Sequence, residues 1–427
     1  MFRERLHAGA HFCSIVCAAA IIGAISGLGS WALFESLDQA TSLRLDHAWL
    51  IYVLPAVALL LGLAYHYAGG EATRGTSLVI DRSLPSPAGA SNVDEDSEPL
   101  DVVRVPARMA PMIFGATYLA QLAGASVGRE GAALQIAGSL SSLVMRPFRI
   151  AASDARLMLV AAMAGAFGGA FGVPIAGAVF ALEVQQTGRL RYDALAPALV
   201  ASITADVVVE GLGRSTQIVS VPASADWSEF ARLALVGIAA GLAARLFIRA
   251  MHIVRSATTR AISWPPLRPV IGAVATIALA VLVGRDYLGL SLPLVDDALA
   301  GIISDWWDPA LKIVFTVIAL GSGIPGGEVT PLFVIGATLG SVLSAPLDLA
   351  PTLVAVAAFA AVFGAASNTP IACTLLTAEL FGAAVLAPAG IVCILAYAVS
   401  PRRGIYESQR PGALKDLRAN AARQPRA

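Results

Sequence analysis

Two charged side chains stand inside an otherwise apolar run from Pro111 to Val144, in the stretch Gly124-Ala125-Ser126-Val127-Gly128-Arg129-Glu130-Gly131. A carboxylate at membrane depth is costly, so a chain that keeps one there uses it to bind or move ions. Small residues precede the charges, and the apolar segment that follows reads as a helix beginning at Glu130 or Gly131. Exposed N–H groups and the positive end of the helix dipole would then point into the glycine turn. A small anion, or the Glu130 carboxylate standing in for one, is stabilised there. Non-helical backbone survives in a bilayer only where protein buries it or where it lines a wet cavity. The competing reading is a short extramembrane loop with an ordinary N-terminal glutamate.

Composition favours the membrane. The 427 residues are 57% hydrophobic and only 14% charged, with a mean hydropathy of +0.74, which predicts an all-α polytopic membrane protein. Zero net charge and the lack of a basic patch argue against a nucleic-acid partner. Cys13, Cys17, Cys373 and Cys393 lie in apolar segments without metal-ligand spacing and read as small hydrophobes. His7, His11, His47, His66 and His252 are scattered, so neither a metal site nor a catalytic triad has local support, and no cofactor is called for.

A first helix is expected over Phe12–Phe34 and a second over about Trp49–Ala68, followed by a glycine-broken approach, Gly69 to Thr76, to a short apolar piece. Residues 81–104 have loop composition. Apolar segments then recur at 106–124, 130–145, 156–171, 174–185, 194–209, 229–251, 268–284, 309–321, 328–345, 350–364, 370–386 and 388–399. Many fall short of the ~20 residues that span the hydrocarbon core. Short, broken pieces in corresponding places of two halves point to a transporter with inverted repeats.

A second copy is present. Phe167, Gly168, Ala170, Pro174, Ile175, Ala176 and Glu183 match Phe363, Gly364, Ala366, Pro370, Ile371, Ala372 and Glu379, each 196 residues later. At an offset of 198, Glu130 falls on Glu328. The second stretch, Gly321-Ser322-Gly323-Ile324-Pro325-Gly326-Gly327-Glu328-Val329-Thr330-Pro331, is the richer one. Pro331 is acceptable only in a first helical turn and so sets the helix start near Glu328. Thr330 adds a hydroxyl donor and Glu328 a second titratable group. A phosphate-binding loop would need a Lys-Ser/Thr ending and a preceding strand, and both are missing.

These elements resemble the CLC family of anion channels and anion/proton antiporters, of the voltage-gated chloride channel type, over essentially the whole chain to about residue 410. The resemblance implies a homodimer of inverted-repeat bundles of broken, tilted helices, each subunit with its own anion pathway. It implies halves at about 1–210 and 229–400, with 411–427 as a short basic tail. Glu130 would be the gating glutamate that competes with the anion and carries the proton. Gly128, Arg129, Gly131, Gly327, Val329 and Thr330 would surround the anion.

Three departures from the chloride-type pattern carry information. The early Gly-Ser-Gly-Ile-Pro element is replaced by Gly75-Thr76-Ser77-Leu78-Val79, which places Thr76 and Ser77 at the anion path. The second acidic residue of proton-coupled chloride members falls on Val184. Glu328 and Thr330 stand where chloride types carry an aromatic and a small residue, a form similar to the bacterial branch that exports fluoride in exchange for protons. In that branch the late glutamate is required. Tyr406 corresponds to a C-terminal tyrosine that is not its main anion ligand. A chloride channel or chloride/proton antiporter of the same fold is the alternative.

Glu183 and Glu379, each nine residues after a proline, read more simply as helix ends near the headgroups. Arg129 is expected to pair with a carboxylate or cap carbonyls. The phenylalanines 167, 171, 333 and 363 are expected to pack, and Trp306 and Trp307 to sit at the interface. Arg3 and Arg5, with the arginines and Lys415 of residues 400–427, predict that both termini are cytoplasmic in a bacterial inner membrane.

Overall fold

The computed structural model describes residues 2–85, 100–145, 151–214, 221, 227–401 and 403–412. The expected basic tail, apart from residues 411–412, and most of the polar 81–104 segment lie outside them. The helices in chain order are α1 (Phe2–Asp46), α2 (Leu54–Ala64), α3 (Thr76–Ser83), α4 (Leu100–Val103), α5 (Met109–Leu122) and α6 (Glu130–Met145). Then come α7 (Ala152–Phe171), α8 (Pro174–Glu183), α9 (Leu195–Gly211), α10 (Trp227–Ala261), α11 (Arg268–Val283) and α12 (Leu292–Leu299). The last six are α13 (Asp308–Ser322), α14 (Val329–Ser344), α15 (Pro351–Phe359), α16 (Ala361–Ser367), α17 (Pro370–Phe381) and α18 (Leu386–Val399). Among the described residues, six helical stretches are long and apolar enough to cross a membrane, and several others are shorter apolar pieces. The fold is an all-α polytopic bundle of the inverted-repeat kind.

Proline sits in the first turn of α2, α8, α11, α12, α13, α15 and α17, where its missing N–H is one of the orphans anyway. The run α5–α6–α7–α8–α9 recurs as α13–α14–α15/α16–α17–α18. The breaks before α8 and α17 use the same backbone. Gly172 and Asn368 are left-handed, at φ 66° and 58°, and Val173 and Thr369 follow at φ −131° and −126°. Asparagine is one of the few side chains that tolerate this region.

Close helix contact depends on small residues, as in other membrane bundles. On α1, a Cβ at Gly23 or Gly27 would lie 2.3 or 2.6 Å from the carbonyl oxygen of Ala201 or Ala205 on α9. Phe167 stacks on Phe180 of its own repeat with ring centres 4.2 Å apart and faces Phe363 of the other at 6.3 Å, which makes these rings packing groups as expected.

Four expectations are corrected. The first helix does not end at Phe34: it continues to Asp46, where Asp38 bonds Arg129 and the Arg44 side chain lies against Gly124 and Gly289. The 350–364 segment is two helices that break at Ala360, and α10 runs ten residues beyond 251. Glu183 and Glu379 do not reach for the headgroups. The Glu183 carboxylate accepts from Ile371 N (3.2 Å) and Ala372 N (2.9 Å), while Glu379 accepts from Ile175 N (3.0 Å) and Ala176 N (2.7 Å). Each caps the start of the other's helix, because four N–H groups at a helix start need acceptors that the bilayer cannot supply.

Candidate ion-coupling site

The two glycine loops meet at the start of α6 and α14. Gly128 N donates to Gly327 O (2.5 Å) and Gly327 N to Gly128 O (2.9 Å), an antiparallel bridge between chain segments about two hundred residues apart. Only glycine permits this approach. A Cβ at Gly128 would stand 2.9 Å from Pro331 Cδ, one at Gly327 2.9 Å from Gly131 N, and one at Gly326 2.4 Å from Val127 Cβ.

Glu130 opens α6 but serves α14. Its side chain is buried, and Oε2 accepts from the Thr330 hydroxyl, from Thr330 N (3.1 Å) and from Arg129 N (3.2 Å). Val329, fully buried, begins α14, and Thr330, the second residue of that helix, has an N–H without a helical acceptor. The carboxylate therefore occupies a ready-made anion position at a helix N-terminus, worth up to ~2 kcal/mol in a partly buried geometry.

Arg129 turns away from this point. Its guanidinium bonds Asp38 Oδ1 at 3.2 Å, lies 4.2 Å over the Phe34 ring and keeps Nε 3.5 Å from Glu130 Oε1. It is thus a carboxylate partner, as expected, and lies on the α1 side of the loop.

Glu328 stands at the N-cap position of α14, its side chain making no cap bond there, and is accessible only in part. Its carboxylate neighbours are Glu130 and the Tyr406 hydroxyl, and one oxygen lies about 4.0 Å from where a Cβ at Gly131 would be. Glu328 opens onto a cavity of about 490 Å³ whose buried end is formed with Thr76, Ser77, Gln135 and Tyr406. Arg74, Arg255 and Arg268 line the same cavity toward its exposed end.

Thr76 begins α3 after Gly75 (φ 58°). Its hydroxyl donates to Gly131 O at 3.3 Å and accepts from Gln135 Nε2 at 3.3 Å. Ser77 takes part through its backbone, its carbonyl accepting from Ser408 Oγ at 2.7 Å. Tyr406 is 3% exposed, and its hydroxyl has no partner of hydrogen-bonding geometry among the described residues. The segment that carries it is fixed by Ile405 N to Ala366 O (2.9 Å) and Gln409 Nε2 to Ser367 O (2.9 Å). All the expected residues thus lie around one loop junction and one cavity end, with the Arg129 guanidinium on the far side.

Two residues escaped the sequence reading. Lys312, fully buried on α13, donates to Ser126 Oγ, Gly289 O and Ser291 Oγ at 2.9 Å and to Tyr287 O at 3.2 Å. It ties the loop before Glu130 to the 287–291 turn, and Ser126 Oγ also meets Thr316 Oγ1 at 3.0 Å. The rule that singled out Glu130, a charge within an apolar run, would have found Lys312. Gln135 is the other, a polar side chain just over a turn beyond Glu130 on α6.

Residues 75–401 match the family model described as voltage gated chloride channel. The chain belongs to this family. A relative from Pseudomonas syringae pv. tomato, the "Chloride/fluoride channel protein", is 39% identical over 94% of this chain and 87% of its own length. The "H(+)/Cl(-) exchange transporter ClcA" of Vibrio parahaemolyticus is 26% identical over 86% of this chain and 82% of its own. Among solved structures, one described as a CLC-type fluoride/proton antiporter superposes with a TM-score of 0.87 at 30% identity, covering 94% of this chain and 98% of that one. A slow cyanobacterial Cl−/H+ antiporter superposes at 0.71 with 20% identity, which speaks to the fold alone. The chain is therefore a CLC-type membrane anion transporter.

Proposed function

We propose that this protein exports fluoride in exchange for inward-moving protons. The reading is carried by one observation: the Glu130 carboxylate holds both the N–H and the hydroxyl of Thr330 at the start of α14, with a second carboxylate, Glu328, beside it at a cavity end. A group that sits where an anion would sit competes with it. Protonation removes its charge and frees those donors for the ion. Protonated Glu328 adds a donor of its own, and fluoride, the strongest acceptor among the halides, gains most from such donors.

Glu328 opens directly onto the cavity, so an imported proton leaves it for the cavity without a further carboxylate relay; the position of that relay in other members is Val184, which is buried and apolar here. Arg74, Arg255 and Arg268 at the exposed end suit a cytoplasmic mouth by the positive-inside rule, and both termini would lie on that side. Residues 1–410 act as one transport unit of two halves. Each copy in a homodimer would carry its own pathway.

The reading is tested with purified protein in liposomes, following fluoride, chloride and pH together. Fluoride efflux with stoichiometric proton uptake supports it. Chloride carried as fast as fluoride transfers the assignment to a chloride exchanger.

A further inference from the structure

The Thr76 hydroxyl has one proton and two neighbours. Gln135 Nε2 donates to its oxygen at 3.3 Å, so the proton is directed away from Gln135 and toward Gly131 O, also at 3.3 Å. That second bond is long, and the Gly131 carbonyl keeps its helical acceptor role within α6 whether or not Thr76 stays. The proton can therefore leave Gly131 for an ion at the cavity end at little cost. Were an oxygen to face Thr76 in place of the Gln135 N–H, the hydroxyl would spend its proton on that oxygen and show the ion only lone pairs. The backbone is arranged to admit this side chain. Gly75 is left-handed at φ 58°, and a Cβ there would already touch the Gln135 amide at 3.6–3.9 Å. Both Gln135 and Thr76 are buried and line the cavity beside Glu328.

We propose that Gln135 is a positioning residue for halide selection, which keeps the Thr76 hydroxyl proton free to bond the ion at the cavity end. The proposal rests on the anion-transport reading above. Its action runs through Thr76, and it favours fluoride because the smaller ion gains more from a single strong donor.

The test is a double-mutant cycle read as the ratio of fluoride to chloride flux in liposomes, using wild type, Gln135→Met, Thr76→Val and the pair. Gln135→Met preserves length and removes the amide. The expected result is a ratio lowered roughly three- to tenfold by either change, in line with one hydrogen bond, and no lower in the pair than in Thr76→Val alone. Gln135→Glu, which puts an acceptor against Thr76, should lower the ratio at least as far. An unchanged ratio in Gln135→Met, or effects that multiply in the pair, would overturn the proposal while leaving transport itself in place. If Gln135→Met does not yield a folded protein, Gln135→Glu judged against Gln135→Glu/Thr76→Val takes its place with the same criteria. A wild type that moves no halide overturns the transport reading instead, and this one with it.

Discussion

Glu183 and Glu379 exchange the helices they cap: the carboxylate at the end of α8 holds the first N–H groups of α17, and the one near the end of α17 holds those of α8. Two helix starts in the middle of the protein are thereby closed to ions by the protein's own charges. The starts of α6 and α14 remain, and one carboxylate there, Glu130, is held by a single threonine's two donors and a neighbouring N–H. This division separates acids that hold the fold from acids available for transport.

Replacing Glu183 or Glu379 with Ala should therefore lower thermal stability in detergent without changing the halide ratio. Each charge-assisted bond to an N–H contributes roughly 1.5–3 kcal/mol, so Gln, which retains one acceptor, should be milder than Ala. Loss of proton coupling with stability intact would move these residues into the transport path.

Glu130→Gln removes the titrating charge at the start of α14 while keeping the shape. Proton uptake accompanying fluoride efflux should vanish, with anion flow either passive or arrested. Coupled exchange at the wild-type rate would remove Glu130 from the mechanism.

Glu328→Gln and Glu328→Ala should both lose fluoride-for-proton exchange, since neither can carry a proton between the cavity and Glu130. Mutants that keep full coupled rate would remove Glu328 from the proton path.

Thr76 and Ser77 are expected to differ. Thr76→Ala removes a hydroxyl at the cavity end and should shift the fluoride-to-chloride ratio. Ser77 is fixed through its carbonyl by Ser408, so Ser77→Ala should shift the ratio much less. Equal effects, measured by paired flux assays, would mean that the cavity end is wrongly assigned.

Lys312→Met keeps the volume but leaves two carbonyls and two hydroxyls without their donor, so its melting temperature should fall well below that of wild type. A stable variant with normal flux would make the buried charge dispensable.

The site was legible where chemistry and punctuation coincide. Glycines before a charge, and a proline that can stand only in a first turn, located the starts of α6 and α14 to within a residue. What a side chain reaches for across nearly two hundred residues leaves no local mark, and so in sequence Glu183 and Glu379 read as helix ends near the headgroups. The break at Ala360 is carried by an alanine between apolar neighbours, with no glycine or proline to announce it. The last turns of α1 are polar because they bind other elements: Asp38 meets Arg129 and Arg214, so the hydrophobic run ended before the helix did.

The paired hydrogen bonds between Gly128 and Gly327 act as an axle. A cycle that rocked one repeat against the other would have to part both bonds at every turnover, at a point where no side chain could take up the slack. A cycle in which carboxylates swing past the junction leaves them whole. The barrier to each exchange is then set by rotating one side chain and moving one proton, and the scaffold around the axle stays still while the cargo changes place.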